Sequence, residues 1–531
     1  MGDTTHDAVI LGGGLAGLCL ALQLRGEFPD MDIVVLERLS HPLPLAAHKV
    51  GESTVEIGAH YLGETLGLRE HLEAEHIRKF GFRFFFSDRR SDLQHVTELG
   101  VSRVLPTPSY QLDRGILENH LGDEARRRGI DFRDGVHVRG FTLGEHGTGH
   151  TVRCTDAGGE QHTLTSRWLL DASGRAGMIR RKLKLTRDNG HHANAVWFRL
   201  DERLSIDGWC DDRDWQSRCS PAERWRSTNH LCGPGYWTWL IPLASGAHSL
   251  GIVADAAMHP LASMNSFARA QEWLATHQPA IAREVATRQD KLLDFAFLRD
   301  YSYGCARMFS ADRWALTGEA GAFLDPFYSP GTDFIAISNT YICQLVGLDR
   351  AGQPLARHAR LHERLFFSFY ESTLALYRHQ YPLMGNAEVL PIKVIWDYTY
   401  YWGVLCQLVF QQRLGDPALF TALARELESA QALNVRMQAF FLRWHASSRG
   451  RNPRTLLDQQ DLPWFAQMNA TLHDRLDDAA LRARLRQNVE LLEGLAVMIV
   501  ERAVADDGDA LRSEMHDLVR ARQRPLLFAG A

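Results

Sequence analysis

No two cysteines in this chain are spaced C-x-x-C, and no apolar run is both long and unbroken enough to span a bilayer. The eight cysteines are scattered. Cys210, Cys219 and Cys232 share one segment, but their spacing fits no zinc pattern, so reduced thiols and no metal site are expected. The apolar stretch from Ala8 to Leu24 is interrupted by four glycines, which excludes a membrane helix there. The opening residues, MGDTTHDAVILGGG, have neither a basic region nor a cleavage site, so a signal peptide is not expected and the cytoplasm is the expected location. Neither sign of charge dominates: the formal balance is -5, which gives no reason to expect a nucleic-acid or anionic-membrane partner. Repeats, low-complexity tracts and long linkers are also missing, which predicts tightly packed units.

What is present is an ordinary globular composition, 45% apolar and 23% charged, in a chain of 531 residues. That length predicts two or three packed units. Residues 1–180 alternate strand-like runs (DAVILGGG, MDIVVLE, RWLLDASG) with helical ones, the pattern of an α/β unit, completed by residues 300–345. Residues 181–299 carry alternating runs (ANAVWFRL, YWTWLIPL, SLGIVADA) that predict an antiparallel sheet. Residues 346–531 read as helical. The aromatic run holding Trp396, Tyr398, Tyr400, Tyr401 and Trp402 has helical spacing and is expected to be mostly core.

The strongest local signal is HDAVILGGGLAGLCLALQL, an apolar strand, a G-x-G-x-x-G turn and a helix. Gly12 permits the tight turn, Gly14 lets backbone approach a pyrophosphate, and Gly17 lets helix and strand pack closely. The helix N-terminus offers free N–H groups to phosphate. A second strand, MDIVVLER, ends at Glu37, twenty residues past Gly17, where a carboxylate can accept from a ribose and would repel a 2′-phosphate.

Three further stretches point to a flavin. YQLDRGILENHL starts a helix at Asp113–Arg114; LLDASGRAG ends a strand with Asp171 and Gly174; RWALTGEAGAFLDP ends one at Gly318–Glu319. Together they resemble the flavin contacts of the FAD-dependent monooxygenase superfamily, whose fold is p-hydroxybenzoate-hydroxylase-like. In that family an aspartate usually stands where this chain has Glu319. The resemblance implies FAD as cofactor and adds Ala16, Arg38 and the strap Gly51-Glu52-Ser53 to its contacts.

A narrower resemblance is to the flavin-dependent halogenases, in motif nearest to those acting on phenolic, pyrrolic or aryl-polyene-type substrates. WTWLIP matches W-x-W-x-I-P with Trp237, Trp239, Ile241 and Pro242, a wall that in the family keeps substrate from the flavin. Alternate strand positions share a face. A core strand with two buried tryptophans reads equally well from these six residues alone. FLDPFYSPG matches F-x-x-P-x-x-S-x-G, with Pro326 on the passage and Ser329, Gly331 and Thr332 as the implied halide turn. Pro330 departs from the family by lacking an N–H. Tyr328 stands where tryptophan halogenases carry a glutamate.

HIRKFGFRFFFSD places Lys79 as the implied catalytic lysine, with Phe80, Phe82, Phe84 and Phe86 around it to lower its pKa. Lys49, beside the strap, is the other lysine considered. The implied activity takes FADH2 from a separate flavin reductase, oxygen, and chloride or bromide. It makes hypohalous acid and halogenates an electron-rich aromatic compound, free or carrier-bound, as in secondary metabolism. An aromatic hydroxylase and a flavin-binding protein with a dead halide site are the alternatives.

Overall fold

The computed structural model describes residues 5–45, 51–87, 89, 90, 92–145, 147–507 and 511. Lys49 lies outside them.

The first sheet grows from β1 (Thr5–Leu11) and β2 (Ile33–Leu36). Both are runs of apolar residues because parallel strands are covered on both faces. β5 (Asp131–Arg133) pairs with β2. On the other side β1 pairs in parallel with β8 (Gln161–Asp171). The start of β8 runs antiparallel to β7 (His150–Thr155), which pairs with β6 (His137–Thr142); its end, Leu169–Asp171, pairs in parallel with β14 (Trp314–Leu316). The glycine turn therefore emerges at the carboxyl end of a parallel strand, where α/β sheets hold ligands. Helix α1 (Leu15–Glu27) follows it and packs on α3 (Arg114–Arg127) and on α4 (Gly331–Arg350).

The second sheet has the order β13 (Leu292–Leu298), β9 (Ala193–Leu200), β12 (His248–Asp255), β11 (Tyr236–Pro242), β10 (Thr228–Gly233), β3 (Phe82–Phe86), β4 (Thr97–Gly100), β15 (Leu456–Asp458). Two corrections to the sequence expectation follow. The sheet is not confined to residues 181–299, because β3 and β4 come from the N-terminal segment and β15 from the C-terminal one. It is also not wholly antiparallel: β3 joins β10, and β15 joins β4, in parallel. The physical reason lies in FRFFF, which is buried at all five positions and has to be flanked by strands.

Between β3 and β4 a fully buried cluster closes the sheet. Arg83 and Arg224 both donate to Glu98, Arg224 at 2.8 Å. Removing the shared carboxylate would leave Arg83 without its carboxylate partner and Arg224 with Asp207 at 3.6 Å, a costly change for buried cations.

The remaining chain is helical, chiefly α5 (Leu355–Leu374), α6 (Leu390–Tyr400), α7 (Ala424–Ser447) and α8 (Asp478–Asp507). α2 (Glu56–His60) lies against α4. At Tyr401–Cys406 the chain widens into a π-helical turn, a local irregularity that recurs at functional sites. Among the described residues no helix is long and apolar enough to cross a membrane. All eight cysteines are buried and unbridged.

Candidate active site

A cavity of about 650 Å³ opens above the glycine turn. Its walls carry Gly12, Gly14, Ala16, Glu37, Arg38, Gly51, Ser53, Arg114, Gly174, Gly318 and Glu319, all expected from the sequence. The backbone shapes suit a dinucleotide. Gly12 has φ +105°, and a Cβ there would meet the Ala172 carbonyl at 2.5 Å. A Cβ on Gly14 would meet only a Glu118 oxygen, at 3.9 Å, so this position is open for a phosphate to come close. Glu37 accepts from the Gly13 N–H at 2.7 Å and from the Leu39 N–H at 2.9 Å, which fixes its carboxylate at the cavity edge. Burial raises the Glu319 pKa against the pull of Arg175 and Arg114. These features fit FAD.

Three residues of the expected cofactor set do not line the cavity, and for Gly17 this matches the packing task read from the motif. Gly17 is not on the wall; a Cβ there would fall 1.9 Å from the Gly12 carbonyl, so it serves helix–strand packing. Asp171 is fully buried and accepts from Ser173 N–H (3.0 Å), Ser173 Oγ (2.6 Å) and Ile179 N–H (2.6 Å), which shapes the loop that carries Gly174. Glu52 turns away from the cavity because Arg199, buried in the second sheet, donates to it at 2.8 Å.

Lys79 lines neither this cavity nor the smaller apolar pocket around Tyr328; it lies behind Ser53 of the cavity wall and is only 3% exposed. Its Nζ donates to Ser53 Oγ at 2.9 Å and to the Thr54 carbonyl at 3.2 Å, and lies 3.3 Å from the centroid of the Phe82 ring. Burial drives its pKa well below the usual lysine value, opposed by Glu56 and Asp333. Asp333 accepts from the Gly58 N–H and the Tyr401 hydroxyl, both at 2.8 Å. Burial raises its pKa to about 8.

Phe82 and Asp333 also line a second, apolar pocket of about 60 Å³, together with Tyr328, Tyr377, Tyr398, Tyr400 and Tyr401. Pro330 and Phe334 are common to the walls of both chambers. Here the expectation for the aromatic run is corrected in part. Trp396 and Trp402 are core, while Tyr398, Tyr400 and Tyr401 face the pocket, because α6 turns its tyrosine side toward α4. Tyr328 donates to Asp397 at 2.8 Å, and Asp397 pairs with the buried Lys393.

The turn at 329–332 lies on the larger cavity's wall. Ser329 adopts φ +53°, and Pro330 precedes the first turn of α4. The N–H groups of Gly331, Thr332 and Asp333 belong to that first turn, whose donors have no intrahelical partner. A Cβ on Gly331 would meet nothing within 4 Å.

The tryptophan strand needs the clearest correction. Trp237 and Trp239 do share a face, with ring centroids 5.7 Å apart. Neither they nor Ile241 and Pro242 line either chamber; only Pro326 of the expected passage residues does. The ring that lines the cofactor cavity from this sheet is Trp197 on β9. Trp239 is held back because its indole lies over Gly251, where a Cβ would meet it at 2.2 Å, and its Nε1 donates to Ser249 at 3.1 Å. Trp197 and Asp333 were missed by sequence reasoning, and Tyr401 was named only within an aromatic run expected to be mostly core. Asp333 alone carried a signal, as the carboxylate two residues past the glycine that opens α4.

Comparison with known proteins agrees with this geometry. A family of FAD binding domains matches residues 5–229. The flavin-dependent halogenase chlA of Dictyostelium discoideum is 25% identical over 431 residues, 75% of this chain and 70% of its own. A 1H-pyrrole-2-carbonyl-[peptidyl-carrier protein] chlorinase of Pseudomonas fluorescens is 24% identical over 64% of this chain and 75% of its own length. In fold, the halogenase PltM, solved with phloroglucinol and FAD, superposes with a TM-score of 0.63 over 92% of this chain and 96% of that one, at 17% identity. The chain is thus a flavoenzyme with FAD as its cofactor, a relative in sequence and fold of the flavin-dependent halogenases.

Proposed function

We propose that the protein halogenates a small electron-rich aromatic compound through Lys79, using FADH2 from a separate reductase, oxygen, and chloride or bromide. One observation carries the reading: a buried amine bonded to a cofactor-cavity residue, Ser53, stands over a ring, Phe82, that lines the aromatic pocket.

Reduced FAD, when bound, supplies the two-electron activation of oxygen that turns halide into hypohalous acid. The protein's own groups do the rest. Gly14 and the N-terminus of α1 hold the pyrophosphate, Glu37 the ribose, and Arg114 and Gly318 flank the remainder. The N–H groups of Gly331 and Thr332 hold the halide, so the missing N–H of Pro330 is compensated within the same helix turn. Asp333, one residue on, keeps its carboxyl proton at neutral pH and so does not repel the anion. Hypohalous acid is small and uncharged and passes the Pro330–Phe334 partition, while the tyrosine-lined pocket holds the ring. Lys79, with its pKa lowered, presents the halogen to that ring by hydrogen bond or as a haloamine.

The test supplies FADH2, oxygen, halide and a panel of indoles and phenols, with products read by mass spectrometry. A halogen isotope pattern lost in Lys79→Ala, with flavin oxidation retained, is the expected result. Gain of one oxygen independent of halide would identify a hydroxylase instead.

A further inference from the structure

The tryptophan strand stands behind the chamber walls, yet it reaches the halide turn through an unbroken line of hydrogen bonds. Trp237 Nε1 donates to the Tyr381 hydroxyl at 3.1 Å. That hydroxyl donates to Asp325 Oδ2 at 2.5 Å, an oxygen that also receives Tyr301 at 2.7 Å and His191 at 2.7 Å. The other oxygen, Oδ1, accepts from the Phe327 N–H at 2.9 Å and so caps the short helical turn Pro326–Tyr328. The Ser329 N–H then closes back onto the Pro326 carbonyl at 2.9 Å. Trp237 also packs its ring against Phe327, 5.2 Å between centroids at 64°.

This turn needs outside support. Ser329 is not a glycine, yet it holds a left-handed φ of +53°, and such a residue persists only where its surroundings over-determine it. The next two residues with N–H groups are the proposed halide donors, and a small rotation at Ser329 would swing them off the anion. Asp325 is fully buried with four donors on it. Burial works to raise its pKa, but the donors outweigh that and hold it below the usual carboxylate range, so the centre of the network is a fixed negative charge.

We propose that Trp237 and Tyr381 are positioning residues for the halide turn, acting through Asp325. The proposal rests on the halogenase reading above. It assigns the first tryptophan of the strand a mechanical task at the anion rather than a screening task at the flavin.

The test uses the full-length holoenzyme with FADH2, oxygen, resorcinol as acceptor and a bromide concentration series. Trp237→Phe keeps an aromatic ring but loses the Nε1 donor together with part of the indole's volume; its bromide KM is expected to rise 5- to 20-fold, with kcat and the FAD dissociation constant changed less than twofold. Tyr381→Phe breaks the line nearer the turn and is expected to raise the KM 20- to 100-fold. Because both act along one line, the double variant should be no worse than Tyr381→Phe alone, whereas a loss of packing would make the two effects multiply. FAD titration of each variant confirms that the fold is kept. An unchanged bromide KM in Trp237→Phe, multiplicative effects, or an equal loss of FAD affinity would each overturn the proposal while leaving the halogenase reading intact. Wild-type protein that gives no bromide-dependent product would overturn both.

Discussion

The two chambers are built from different materials. The cofactor cavity is shaped by main chain: positive-φ glycines at 12, 51, 174 and 318, a helix N-terminus, and loops that end parallel strands. The apolar pocket is shaped by side chains, tyrosines above all, brought together from the turn before α4, the segment after α5, and α6 with the π-helical turn that follows it. Glycines at fixed spacing constrain the backbone locally, so the first chamber tolerates little change. A wall of tyrosines from three separate segments can be redrawn one residue at a time, so the second chamber is where relatives of this fold can diverge in substrate.

The contrast can be broken first at Lys79, which contacts Ser53 of one chamber's wall and Phe82 of the other's. Lys79→Ala should lower product formation more than 1000-fold, by mass spectrometry, while FADH2 oxidation continues at a similar rate. Gly14→Val tests the backbone chamber: the position is open, so the fold should survive, but FAD affinity should fall about 100-fold in a fluorescence titration. Asp333→Asn tests the partition. Burial raises the Asp333 pKa to about 8, so above that pH a buried negative charge develops one residue past the proposed halide donors, and the halide KM should climb about tenfold between pH 7 and pH 9.5. The asparagine variant should show a flat halide KM over that range.

The same carboxyl sets a stability trend. Its folded pKa is raised, so its contribution is full below pH 4 and is lost as pH rises toward 8. Thermal melts of Asp333→Asn should lose that part of the slope. The smallest effect belongs to the pocket wall: Tyr400→Phe should raise the KM for the aromatic substrate three- to tenfold and leave FAD and halide constants alone.

These differences in material explain what the sequence made legible. The β1–turn–α1 unit, Glu37, the Gly318–Glu319 strand end and the turn at 329–332 are contiguous motifs, and each is found where a local pattern placed it. Residues whose role depends on a partner far along the chain were misplaced. Glu52 reads as a cofactor contact until Arg199, 147 positions on, claims it. FRFFF reads as a strand, but nothing local says that it joins β10. Helical spacing left Tyr398, Tyr400 and Tyr401 between core and a substrate cleft, and nothing local decides which of them border an opening.

One glycine outside every motif carries a packing constraint. Gly251 on β12 lies in register with Trp239 on one side and Trp197 on the other. Its bare backbone is the floor on which the Trp239 indole rests. The second tryptophan of the strand is thus half of a pair whose other member is the absence of a side chain. In any lineage that shares this sheet, the two positions should covary. A larger residue at 251 should occur only where the tryptophan at 239 has given way to something smaller, and back-mutating one without the other should disturb the strand that carries Trp197 to the wall of the larger cavity.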